Sequence, residues 1–175
     1  MQTSLLAVLV SIVLAAPTAN ASLLYFDVGM SGNQEVNAGG EFNQGDLDGF
    51  GVAKIVIDTS DFTIDWEFLV TGIAMPLNGA HIHNAPAGIE GGVVVDFSAQ
   101  LSGTGLSDVN LEDVVGNPSN FYVNLHNADF PGGAIRGQFS DPYRVEGVIP
   151  LPAAALLLGS GMLGLIGFVQ RRQKA

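Results

Sequence analysis

All three histidines of this chain fall in two short segments of strand-forming residues, Ala80-His81-Ile82-His83-Asn84 and Tyr122-Val123-Asn124-Leu125-His126-Asn127. On an extended strand, side chains two apart project to the same face, so His81 and His83 stand together. Tyr122, Asn124 and His126 share a face in the same way, and if the two strands pair, a third imidazole joins the first two. Imidazole nitrogens hold zinc or copper at ~2.0–2.1 Å, so the spacing predicts that the Nε2 atoms of His81, His83 and His126 converge on one Cu or Zn ion. Water, Glu90, Asp129 or another acid then serves as fourth ligand, and Arg136 is expected as an anion-attracting neighbour. The competing reading is a hydrogen-bonded cluster in which the histidines order turns through Asn84, Asn124 and Asn127, with Arg136 paired to a carboxylate.

Counting narrows the chemistry. Three imidazoles are too few for a binuclear copper and zinc centre. The serines lie mainly in turns, and none has the spacing to His and Asp of an activated nucleophile. Asp46-Leu47-Asp48-Gly49 has the look of a calcium-loop start, but position 12 of such a loop is Ile57 rather than a bidentate Glu, so it reads as a turn. Pro86 to Gly92 lacks the Lys and following helix of a phosphate loop and reads as a mobile connection beside His83. No catalytic residue is assigned.

The elements that must position these side chains read as β-strands. Phe62 to Val70 alternates with period two, which puts Phe62, Ile64, Trp66, Phe68 and Val70 on one buried face. Further strands are predicted at Leu23 to Met30, Gly51 to Ile57, Gly79 to Asn84, Val93 to Phe97, Phe121 to His126 and Ala134 to Phe139, separated by Gly, Asn, Asp and Pro clusters. Short strands at this spacing point to an all-β antiparallel sandwich or barrel. One helical turn is expected within Ser107 to Val115, capped by Ser107 or Asp108 and packed through Leu111, Val114 and Val115.

The two ends read differently from the middle. Leu5 to Ala16 is an apolar run followed by Ala19-Asn20-Ala21, so residues 1–21 are expected to be a signal peptide cleaved between Ala21 and Ser22. Gly147 to Gln170 carries no charge and precedes Arg171-Arg172-Gln173-Lys174. Pro150 to Val169 is long enough at helical rise to cross ~30 Å of hydrocarbon, and the basic cluster places its end in the cytoplasm. The expected organisation is therefore a signal peptide (1–21), a β domain (22–147) and a C-terminal segment with a transmembrane helix and basic tail (148–175). The absence of cysteine excludes disulfides and thiolate metal sites. The exported part carries 3 bases, Lys54, Arg136 and Arg144, against 17 acids, a formal −14. Such a balance argues against nucleic acid and anionic lipid as partners, since both require a basic footprint.

The run Val148-Ile149-Pro150-Leu151-Pro152-Ala153-Ala154, an apolar stretch with Gly159-Ser160-Gly161, and Arg171-Arg172 together resemble the PEP-CTERM sorting signal of Gram-negative bacteria, in a Pro-Leu-Pro-Ala-Ala variant. That resemblance implies recognition at Pro150, Leu151, Pro152, Ala153 and Ala154 by an exosortase-type membrane protease. It further implies a transient inner-membrane anchor and release to the cell surface or an extracellular polysaccharide matrix.

Within the β domain, Met30-Ser31-Gly32-Asn33-Gln34-Glu35-Val36, Gly49-Phe50-Gly51-Val52-Ala53, Ala80-His81-Ile82-His83-Asn84-Ala85-Pro86, Asn117 to His126 and Pro131-Gly132-Gly133-Ala134-Ile135-Arg136-Gly137-Gln138 resemble, in that order, the motifs of the CHRD domain, named from the chordin repeats. The resemblance covers roughly residues 24 to 140 and implies an extracellular immunoglobulin-like or barrel-like β domain without a settled activity. Asn37-Ala38 and Gly133-Ala134 depart from the family pattern, which has a proline pair and Gly-Glu there. The Ala-His-Ile-His segment also looks like a strand of Cu/Zn superoxide dismutases. Taken together, the sequence reads as an exported, non-catalytic surface or matrix protein with a three-His metal site. The alternative is a mononuclear copper-dependent, superoxide dismutase-like redox enzyme.

Overall fold

The structure, a computed structural model, describes residues 23–143. The expected signal peptide with its Ala21/Ser22 junction, the sorting motif Pro150 to Ala154 and the transmembrane helix lie outside the described residues. Among the described residues no helix is long and apolar enough to cross a membrane.

Eight strands form one antiparallel sheet: β1 (Leu23–Ser31), β2 (Phe50–Asp58), β3 (Thr63–Thr71), β4 (Leu77–Asn84), β5 (Gly92–Asp96), β6 (Ser102–Ser107), β7 (Phe121–Asn127) and β8 (Ile135–Gln138). They lie in the order β5-β4-β7-β8-β1-β2-β3-β6. Alternation explains the inward faces. Leu24, Phe26, Val28 and Met30 of β1, Ala53, Ile55 and Ile57 of β2, and Phe121, Val123 and Leu125 of β7 are buried in one core, which a period-two pattern dictates once one face is covered. On β3, Ile64 and Phe68 are fully buried, while Trp66 and Val70 pack against the core from its margin.

The expected all-β antiparallel architecture is present, and between sandwich and barrel it takes the form of one curled sheet, a half-barrel. Its two four-stranded halves meet at a single register pair, Ser31 with Arg136, so the sheet folds upon itself and the far strands approach each other. Phe97, just beyond β5, packs on Trp66 and Phe68 of β3 at ring separations of 4.7 and 5.3 Å. The chain after β8 turns back along β1, where Tyr143 bridges and stacks on Tyr25.

Three local expectations are revised. Phe62 precedes β3 and takes a left-handed conformation, φ 51°, in the β2–β3 turn, though it still packs against the core. Strand β6, Ser-Gly-Thr-Gly-Leu-Ser, has the composition of a loop and is a strand because β3 supplies its backbone partners. The helix α1 spans Leu111–Gly116 with Asn110 at its N-cap, not Ser107 or Asp108. Asp108 instead organises the approach, its Oδ1 accepting from Asn110 N at 2.8 Å. Leu111 and Val114 seal the core as expected.

Candidate metal centre

The pairing on which the site depends is present. β4 and β7 are antiparallel neighbours, with Gly79 opposite His126, His81 opposite Asn124 and His83 opposite Tyr122. Ala80 and Ile82 point into the core, so the histidines project from the opposite face of the sheet. Their ring centroids lie 5.0 Å (His81–His126), 5.5 Å (His81–His83) and 5.9 Å (His83–His126) apart. His83 is buried; His81 and His126 are half-buried. Room for the rings comes from Gly79, whose Cβ, were it present, would lie 2.8 Å from His81 Cε1 and 3.1 Å from His126 Cδ2.

Hydrogen bonding assigns the tautomers. His83 Nδ1 donates to Gly91 O at 2.9 Å and His126 Nδ1 to Pro131 O at 3.0 Å, which leaves a lone pair on each Nε2. His81 turns its Nε2 toward Asp96 Oδ1, 3.7 Å away. The expectation that all three offer Nε2 is therefore corrected at His81, whose inward atom is Nδ1. These three inward nitrogens, His81 Nδ1, His83 Nε2 and His126 Nε2, are buried without any hydrogen-bond partner.

Three orphaned lone pairs, each on a ring whose other nitrogen is held by a carbonyl or faces a carboxylate, form a donor set that could hold a metal ion. One ligand atom from each ring lies within 4.8 Å of the other two. Three nitrogens sharing one ion at 2.0–2.1 Å lie about 3.3–3.6 Å apart, so from separations of at most 4.8 Å the rings reach an ion by closing by less than about an ångström each. Burial lowers the pKa of all three: His83 to about 4, His81 despite the opposing pull of Asp96, and His126 despite its bond to Pro131. Neutral imidazoles are the metal-binding form.

The other expected participants are placed elsewhere. Neither Glu90 nor Asp129 joins the three rings; both line a neighbouring cleft with Glu35, Asn37 and Gln44. Arg136 is only 2 % exposed, so it presents no charge to an anion. Its guanidinium donates to Ile89 O (2.9 Å) and Pro86 O (3.2 Å) and lies 3.4 Å over the Tyr122 ring. The segment Pro86 to Gly92, expected to be mobile, is therefore pinned. The competing cluster does not form: the ring nitrogens bond carbonyls rather than Asn84, Asn124 or Asn127, and Arg136 bonds carbonyls rather than a carboxylate. Asp46 to Gly49 is a turn, as expected, with Asp46 Oδ1 accepting from Asp48 N at 3.2 Å.

Sequence reasoning missed four contributors. Asp96 supports His81 and Gly79 makes room, and both become visible only through strand register. Tyr122 stacks on His83 at 4.8 Å and 10°. Glu35 is 3 % exposed, and burial pushes its carboxyl up to about 8. Its Oε1 and the Oδ1 of Asn124 are both buried without a partner and converge beside Gly133. The available signal was the polar alternation of β7, which marked Tyr122, Asn124 and His126 as one face.

Fold and site together define an all-β domain whose half-barrel carries a tri-imidazole face on its outer wall. The chain belongs to the CHRD domain family, whose model matches residues 26–139. At the family level this is an extracellular-type, non-catalytic domain. No curated protein and no solved structure matches the chain.

Proposed function

We propose that this protein is an exported, non-catalytic surface or matrix protein whose CHRD domain holds one Cu or Zn ion on His81, His83 and His126. The observation that carries this reading is that each of the three rings has a buried, unpartnered nitrogen while one ligand atom from each ring lies within 4.8 Å of the others. Bound there, the ion supplies a fixed positive charge with an open coordination position. The residues do the rest: Gly91 and Pro131 hold the tautomers of His83 and His126, Asp96 faces His81 Nε2, and Gly79 keeps the approach clear. Export and anchoring follow from residues 1–21 and 148–175, with exosortase-type processing at Pro150 to Ala154 and delivery to the surface or an extracellular polysaccharide matrix. A non-catalytic role is supported by the burial of Arg136, which leaves no guanidinium among the described residues facing the site to draw in an anion such as superoxide.

The test is to titrate the purified full chain with Zn(II) and Cu(II) at neutral pH. One bound ion per chain is expected, with stabilisation of about 2.7 kcal/mol at a free metal concentration 100-fold above Kd, and His81→Ala is expected to abolish it. A melting temperature that no metal moves refutes the site. Superoxide turnover by the copper form would refute the non-catalytic reading. For export, a mass corresponding to loss of the tail is expected in a host carrying the protease; an intact tail on surface-localised protein counts against processing.

A further inference from the structure

Resting on the metal-binding reading above, we infer that Arg136 and Tyr122 are positioning residues for the metal site, acting through the 85–91 loop to hold His83 with its lone pair turned toward His81 and His126.

The connections form a closed circuit. β4 and β8 flank β7, so the Tyr122 ring is clasped between the His83 imidazole on one side, stacked at 4.8 Å and 10°, and the Arg136 guanidinium on the other, 3.4 Å from the ring centre. The stack sets the plane of the His83 ring. Its rotation and tautomer are set by Gly91, whose carbonyl accepts from Nδ1 at 2.9 Å. Gly91 is itself tied back, its N–H donating to the Tyr122 hydroxyl at 3.1 Å. The loop leading to Gly91 is held from beneath by Arg136 through the carbonyls of Pro86 and Ile89.

Arg136 touches no proposed metal ligand, yet both the Tyr122 stack and the Gly91 hydrogen bond on His83 lead to it in one or two steps. Arginine suits the position because one planar group must donate along two edges while covering an aromatic face. A lysine offers a point charge with neither the fork nor the plane. His126 provides an internal reference, since its tautomer is fixed by Pro131, outside this circuit.

The experiment reads the histidine tautomers of the metal-free full chain by long-range 1H–15N NMR, alongside Zn(II) affinity from a competition assay. In the wild type, His83 is expected as a single Nδ1–H tautomer. In Arg136→Lys it becomes a mixture while His126 does not change, and zinc affinity falls about 10- to 100-fold, the usual loss when outer support of a ligand is removed. Tyr122→Phe keeps the stack, loses the bond from Gly91 N–H and is expected to lie in between; with only one hydroxyl removed, it keeps the test open should Arg136→Lys not fold. Val114→Ala, a core change in α1, is expected to lower stability and leave both tautomers and affinity unchanged. The inference is overturned if His83 keeps its wild-type tautomer in both site variants, or if His126 shifts along with it. A wild type that binds no zinc would defeat the proposed function and not this inference, because the tautomer comparison is made without metal.

Discussion

Replacing Glu35 with Gln is expected to make this protein more stable at neutral pH. Glu35 is buried at 3 % exposure with Oε1 unpartnered, and its pKa rises from 4.5 to about 8 because burial penalises the carboxylate more than the nearby Arg136 favours it. A proton on the carboxyl turns an unpartnered acceptor into a donor, and Asn124 Oδ1, a second unpartnered acceptor, lies beside the same Gly133. In the unfolded chain Glu35 ionises near its ordinary value, so folding between pH 4.5 and 8 takes up a proton. A group whose pKa is raised by folding stabilises fully below its unfolded pKa, and that contribution is lost as pH rises through the folded pKa. The loss runs at about 1.4 kcal/mol per pH unit, or about 3 kcal/mol by pH 7. Glutamine keeps a donor for Asn124 and cannot ionise, so Glu35→Gln removes the slope. Urea unfolding of wild type and variant should give similar stabilities near pH 4.5 and diverge to about 3 kcal/mol in the variant's favour at pH 7, with equal m-values. Taking the difference cancels the opposite trend from the three histidines, whose lowered pKa values favour folding above pH 6.5 and less so as pH falls. Parallel pH profiles would refute the assignment of a neutral Glu35.

Three further outcomes follow from the geometry. Gly79→Ala places a methyl 2.8 Å from His81 Cε1 and 3.1 Å from His126 Cδ2, so calorimetric zinc titration should show a loss of binding well beyond any change in melting temperature. Three imidazoles of ordinary pKa would lose roughly 50-fold in zinc affinity between pH 7.5 and 6; with His83 near 4 and the other two lowered, the measured loss should be far smaller, and a full 50-fold loss would show the rings to be solvated. Phe97→Ala removes the aromatic that joins the two ends of the curled sheet and should cost about 3–5 kcal/mol in denaturant unfolding.

Much of the local structure was legible. The alternation along β3 follows from extended backbone with one covered face, so Ile64 and Phe68 could be assigned inward without any partner strand. The same rule put His81 beside His83. Strand β6 was not legible because Ser-Gly-Thr-Gly-Leu-Ser carries no apolar alternation; only hydrogen bonding to β3 makes it a strand. The burial of Glu35 is not legible from the Met30 to Val36 motif, since a glutamate in a turn is ordinarily solvated and nothing local reveals that β7 and the 130–134 segment will cover it.

What the sequence by itself determined is the set of side chains that share a face, because that depends on backbone dihedrals within a few residues. It also determined the limit of three imidazoles, the acidic balance and the lack of thiols. Only the tertiary structure decided that β7 lies beside β4 in the register that brings His126 to Gly79, that His81 turns Nδ1 inward while Asp96 faces its other nitrogen, and that Arg136 is buried as a clamp rather than displayed. Strand partners are chosen by the burial of the whole core at once, across separations of about 40 residues between β4 and β7, and no local pattern carries that information.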